Sequence, residues 1–290
     1  MLKGRDDRGG DFMRMQHTQL KRGRYRTGRR RWLPSVLVLI VAAAAGAWYG
    51  FFRPVIPSAW LSVIPKEAEA QVTKAYTLPA GTWYALQLGA FEAETSACAL
   101  ADSFIGRGAG GCIREKDGLF TVLAAAYPSR EEALRVQENL RTWHQVDTTV
   151  ACITWPEITL QLSGTKSQAD ALLSGYDCLF SMAGEWGQLA VALDSGEVKR
   201  TDAEGVLTSH RETASALQDA LVAAFGSQQE RHPMVEQVIT MLQQSRDTLA
   251  QAMEESGAAR FGAQVKKTHL QLITGLEGHM EEMSLLLNTP

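Results

Sequence analysis

Seven apolar positions recur at a fixed offset of 36 residues. Tyr84, Leu86, Leu88, Phe91, Ala97, Leu100 and Phe104 correspond to Phe120, Val122, Ala124, Tyr127, Ala133, Val136 and Leu140. In each copy the first part alternates apolar and other residues with period two, and the second part spaces apolar residues as a helix does. Each copy therefore reads as strand, turn, helix. Two such copies suffice for one small α+β domain.

The run from Tyr84 through Ala85, Leu86, Gln87, Leu88, Gly89 and Ala90 to Phe91, with Ala97 six residues after the aromatic, resembles the opening strand and helix of the SPOR (sporulation-related repeat) domain. The second copy, from Phe120 through Tyr127, Pro128 and Ser129 to Glu131, Glu132 and Ala133, is similar to that family's second strand and helix start. The resemblance covers residues 80–155. It implies a βαββαβ fold with a four-stranded antiparallel sheet backed by two helices, binding to peptidoglycan glycan strands that lack stem peptides, and no catalysis. Where the family often carries Ser after the strand glycine this chain has Ala90, and Thr121 and Ala125 replace an Arg and a Gly.

Alternation in the first strand sends Leu86 and Leu88 to one side and Ala85, Gln87 and Gly89 to the other. With helices on the leucine side, Gln87 faces solvent at the family's polar strand position. A neutral amide both donates and accepts toward sugar hydroxyls and N-acetyl groups. The third strand adds Leu119, Thr121 and Leu123, and the last adds Thr149 and Ala151. The candidate glycan-binding residues are thus Gln87, Ala85, Ala90, Leu119, Thr121 and Thr149. Leu119 and Leu123 make this face apolar, a composition that also fits protein contact, including contact with the chain's own C-terminal part.

The formal charge of −3 conceals a split. Residues 1–32 hold 11 Lys or Arg against 3 Asp, leaving 18 basic and 29 acidic side chains in the rest of the chain. Residues 32–52 then run for 21 positions without a charge. As a helix they span about 30 Å, the thickness of a bilayer core. Trp32 at one end and Trp48, Tyr49, Phe51 and Phe52 at the other suit the two interfaces. The segment is read as an uncleaved transmembrane helix. A signal peptide cleaved near Ala45 or Ala47 and a twin-arginine signal at Arg29, Arg30 and Arg31 are the competing readings. The Lys/Arg excess places residues 1–31 in the cytoplasm as a basic tail drawn to anionic membrane lipids. Gly interspersed with Arg and no recognisable fold argue against nucleic acid as its partner.

Residues 53–79 read as a linker punctuated by Pro54, Pro57, Pro65 and Pro79, with room for a short helix at 66–74. From residue 165 to 288 the pattern is helical. Apolar stripes run through Leu172, Tyr176 and Leu179, through Val235, Val238 and Leu242, and through Leu272, Leu276 and Met280, with a further helix over 202–224. These four helices make an all-α bundle. Ser167 with Asp170 and Thr201 with Glu204 have capping-box spacing, Pro233 suits a first helical turn, and Gly257 and Gly262 separate the last two helices.

Chemistry is sparse. His210, His232, His269 and His279 have no metal-ligand spacing and are read as solvated, and no nucleophile elbow, phosphate loop or dinucleotide fingerprint occurs. No catalytic residue, metal or cofactor is assigned. Cys98, Cys112, Cys152 and Cys178 are read as buried thiols, with Cys112 and Cys152 on opposite edge strands and too far apart to bridge.

The expectation is a single-pass envelope protein of α+β class: basic tail 1–31, transmembrane helix 32–52, linker 53–79, SPOR-like domain 80–155 and helical domain 165–288. It would bind peptidoglycan, or a division or sporulation protein, without being an enzyme. The alternative is a scaffold whose C-terminal helices bind a protein partner and whose SPOR-like module has lost its glycan. A reporter fused after Pro290 should be active only outside the cytoplasm, because the positive charge precedes the anchor. Cytoplasmic activity would overturn the topology.

Overall fold

A computed structural model describes residues 70–288. The tail, the transmembrane segment and nearly all of the linker therefore lie outside the described residues. Among those described, no helix is long and apolar enough to cross a membrane.

The order is β1 (Gln71–Leu78), β2 (Gly81–Phe91), α1 (Glu94–Ile105), β3 (Cys112–Lys116), β4 (Leu119–Tyr127), α2 (Arg130–His144), β5 (Thr149–Trp155), β6 (Ile158–Thr165), α3 (Lys166–Ser195), α4 (Arg200–Phe225), α5 (Pro233–Glu254) and α6 (Ala258–Asn288). The βαββαβ unit is β2 to β5 with α1 and α2, and its antiparallel sheet has the order β3-β4-β2-β5. Ser129 caps α2 by accepting from the Glu132 amide, with Glu131 and Glu132 in the first turn where the helix dipole favours them.

Part of the expected linker is a strand. β1 pairs antiparallel with β6, from Gln71 opposite Thr165 to Leu78 opposite Ile158. This ribbon continues the β2–β5 ladder, whose last pair is Gly81 with Trp155. Pro79 and Pro156 fall at the break, where each lacks the N–H a ladder needs. The Trp155 indole donates to the Pro79 carbonyl at 3.0 Å. It lies so close over Gly81 that a Cβ there would come within 2.1 Å of the ring.

β6 runs straight into α3 through a capping box in which Thr165 accepts from the Gln168 amide and Gln168 accepts from the Thr165 amide. The expected boxes at Ser167 and Thr201 are not the ones used: both residues lie inside helices, and α4 starts at Lys199 without a side-chain cap. Pro233 does open α5, and Gly257 precedes α6 while Gly262 lies within it. Helices α3 to α6 pack in sequence order, and α3 closes the ring against α6.

The bundle does not stand apart from the sheet. The described residues all belong to one compact unit. Trp83, Leu123, Ile153 and Trp155 share a core with Tyr176, Leu179, Trp186 and Leu276. Two smaller clusters fill the other face of the sheet, Leu86 with Ala133 under α2 and Val122 with Ala97 under α1. Gly187 of α3 makes the close approach possible, since a Cβ there would lie 2.7 Å from the Trp83 ring.

Two histidines expected in solvent are buried here, His269 at 1% and His279 at 3% exposure. His269 meets the Trp83 ring edge-on, with centroids 4.6 Å apart, and among the described residues its Nε2 has no hydrogen-bond partner. His279 bonds the Tyr176 hydroxyl at 2.8 Å and the Gln237 side chain at 2.5 Å. Both lie on the inward stripe of α6, which the sequence reading followed only through its apolar members. All four cysteines are free, but Cys98 and Cys152 are exposed rather than buried.

Burial holds His269 down to about 3 and His279 down to about 4. Below the ordinary value of 6.5 the unfolded chain binds protons that the folded chain refuses, so stability is full above that pH and falls as pH drops through it. The expected slope is about 1.4 kcal/mol per pH unit for each imidazole. Urea unfolding at pH 7.5 and pH 5.0 checks this: the double substitution H269F/H279Q should remove most of the difference, and an unchanged slope would contradict two neutral imidazoles.

Candidate functional site

The face of the sheet away from α1 and α2 carries all six residues singled out from the sequence, but the structure divides them. Ala85 is fully buried, because α6 lies across β3, β4 and β5 on that side. Leu123, expected beside Thr121 in solvent, is buried there too. The other five cluster at the uncovered end. Gln87 stands opposite Thr149, Ala90 opposite Thr121, and Leu119 opposite Lys116. Ala90, Thr149 and Leu119 are exposed, while Gln87 and Thr121 are partly so. Among the described residues the side chains of Gln87, Thr121 and Thr149 have no hydrogen-bond partner, so their donors and acceptors remain available.

A bulge shapes this end. Pairing between β2 and β4 shifts on both sides of Gln87, so Leu86 faces Ala125, Gln87 faces Leu123 and Gly89 faces Val122. Simple alternation would keep Gly89 beside Gln87. Instead it turns toward α1, where an added Cβ would meet Leu100 at 3.0 Å, and Ala90 takes the open side opposite Thr121.

Two basic residues of the same face were missed. Arg114 is the register partner of Thr121, and Lys116 that of Leu119. The short strand from Cys112 to Lys116 puts Cys112, Arg114 and Lys116 on one side by period two, which is the signal that would have found them. Neither charge is free. One guanidinium nitrogen of Arg114 donates to both carboxylate oxygens of Glu277, and Lys116 reaches Glu277 and Glu281, each at 3.1 Å. The Arg114 and Glu277 side chains are only 13% and 6% exposed. Glu277 and Glu281 are one turn apart on α6, so the pair clamps that helix to β3.

Between β3 and helices α5 and α6 runs a polar cleft of about 570 Å³. Gln244, Thr248, Gln271 and Thr274 line it with neutral amides and hydroxyls, and Arg114 borders both the cleft and Thr121. The open end of the face offers neutral hydrogen-bonding groups, whereas the cleft mixes its amides with the charges of Glu115, Asp247, Glu277 and Glu281 beside Arg114 and Lys116. The open end therefore suits an uncharged polyol or amide ligand better than an ion. Among the described residues no cluster of His, Cys, Asp or Glu has the arrangement of a metal site.

Residues 80–150 match the family model of the SPOR domain, so the chain contains a SPOR domain. SPOR domains are non-catalytic modules that bind peptidoglycan in cell division. Comparison with curated proteins yields no match. Comparison with solved structures yields none either.

The clamp makes a direct prediction. Glu277→Ala leaves the Arg114 guanidinium buried without its counter-charge and should cost about 3–5 kcal/mol. Arg141→Ala, which breaks the solvent-exposed pair with Glu138, should leave the melting temperature almost unchanged. Equal, small losses in thermal melting would show that α6 is held by packing alone.

Proposed function

We propose that this chain is a membrane-anchored, non-enzymatic cell-envelope protein that binds peptidoglycan glycan strands through its SPOR domain, in cell division or sporulation. The observation that carries the reading is the patch of Gln87, Thr121 and Thr149, whose unpartnered amide and hydroxyls lie together at the uncovered end of the sheet. Ala90 adds a flat step beside Thr121, against which a sugar ring packs without obstruction. The cleft beyond Arg114, where Gln244 and Gln271 offer amides among charged neighbours, is a continuation along which a strand of several sugars extends. The basic tail and the uncharged run of residues 32–52 support the anchor, with the tail on the cytoplasmic side against anionic lipids.

A second reading rests on Ala85 and Leu123. Their burial under α6 removes half of the sheet face from any glycan. On that reading the chain is a scaffold, and its outer helical surfaces contact a protein partner.

Co-sedimentation with purified sacculi, before and after amidase stripping, separates the two. The glycan reading expects binding that rises on stripping and falls about tenfold in Gln87→Ala and in Thr121→Glu, each with an unchanged melting temperature, since both side chains lie at the surface. Binding unaffected by both substitutions would move the ligand elsewhere, and no binding by the unaltered chain would favour the scaffold.

A further inference from the structure

On the opposite side of the sheet, α1 and α2 diverge and leave a cavity of about 510 Å³. Its floor is Leu86, Leu88 and Ala125, its walls include Val136 and Leu140 of α2, and the start of α6 closes it near Phe261. It is a cleft partly open to solvent, and its size falls in the range of small-molecule sites, about 300–1,000 Å³. The lining is mostly aliphatic, so an occupant must present an apolar body.

The polar groups at this cavity are few and unequal. Lys266 is neutralised by Asp194 at 2.6 Å and bonds the Gly108 carbonyl, and Arg200 is neutralised by Glu204 at 2.6 Å. Arg107 differs. Its guanidinium lies over the Phe104 ring, 4.8 Å from the centroid, and among the described residues it has no carboxylate partner. Tyr127 is 4% exposed and lines the cavity, and among the described residues its hydroxyl has no hydrogen-bond partner. The cleft thus has, among the described residues, one exposed cation without a carboxylate partner at its mouth, Arg107, and one unpartnered hydroxyl at its wall, that of Tyr127.

We propose that this cavity binds a single acyl chain ending in a carboxylate, with the chain over Leu86 and Leu88 and the carboxylate on Arg107. A guanidinium matches a carboxylate in shape and charge, and the stacked Phe104 ring holds it in place. A sugar would leave the aliphatic floor unused, and a neutral alkane would make no use of the guanidinium at the mouth. The site is separate from the glycan patch, because it lies on the helix-backed face.

The test uses the full chain and a hexadecanoate carrying a diazirine near its terminal methyl, below its micelle concentration. After irradiation, label should map to peptides containing Leu86 and Leu88 or Val136 and Leu140. Excess hexadecanoate should compete and hexadecyltrimethylammonium should not. Arg107→Glu should lower labelling about tenfold, while Arg107→Lys retains most of it. Ala259→Trp, at an exposed lining position, should fill the cavity and lower labelling without shifting the melting temperature. Label spread outside these peptides, equal competition by the cationic amphiphile, or labelling indifferent to Arg107→Glu would overturn the proposal.

Discussion

The sheet of this domain is apolar on both faces over most of its length, and each face needs a cover. Leu86 and Val122 on one side need α1 and α2; Trp83, Leu123 and Ile153 on the other need a second cover. At about 25 cal/mol per Å² of apolar surface, leaving that second face bare would cost more than a small domain's net stability. The four-helix bundle exists in this position because it supplies the cover. Gly187 lets α3 approach Trp83, and the paired charges of Arg114, Lys116, Glu277 and Glu281 set where α6 lies against β3.

That cover decides what the sheet can still do. A face open along its whole length would offer Ala85 and Leu123 to a ligand; here only the end beyond the Gln87 bulge stays accessible. The groups left there are neutral, and the two cations beside them are already satisfied by glutamates of α6. Helix packing thus both narrows the face and sets its electrostatics. On the other side the same bundle meets α1 and α2 imperfectly, and the misfit is the aliphatic chamber with Arg107 on its wall.

Much of this was legible in local pattern. The 36-residue repeat marked β2, α1, β4 and α2, the apolar stripes marked α3, α5 and α6, and Pro233 marked the start of α5, because period and first-turn proline are properties of a few consecutive residues. Strand β1 was not legible. Its partner is β6, some 90 positions away, and residues 71–78 alternate too weakly to declare a strand unaided. The bulge was equally hidden, since one extra residue on each strand leaves composition unchanged and reverses Gly89 and Ala90.

The sequence by itself determined which elements form, that one module is a SPOR domain, and that Gln87, Thr121 and Thr149 point away from α1 and α2. Those follow from spacing along the backbone. Only the tertiary structure decided that α6 lies on the sheet, that His269 and His279 are interior and neutral, and that Ala85 is closed to any ligand. Burial belongs to pairs of surfaces distant in sequence, and no stretch of one strand or one helix records what will come to rest against it.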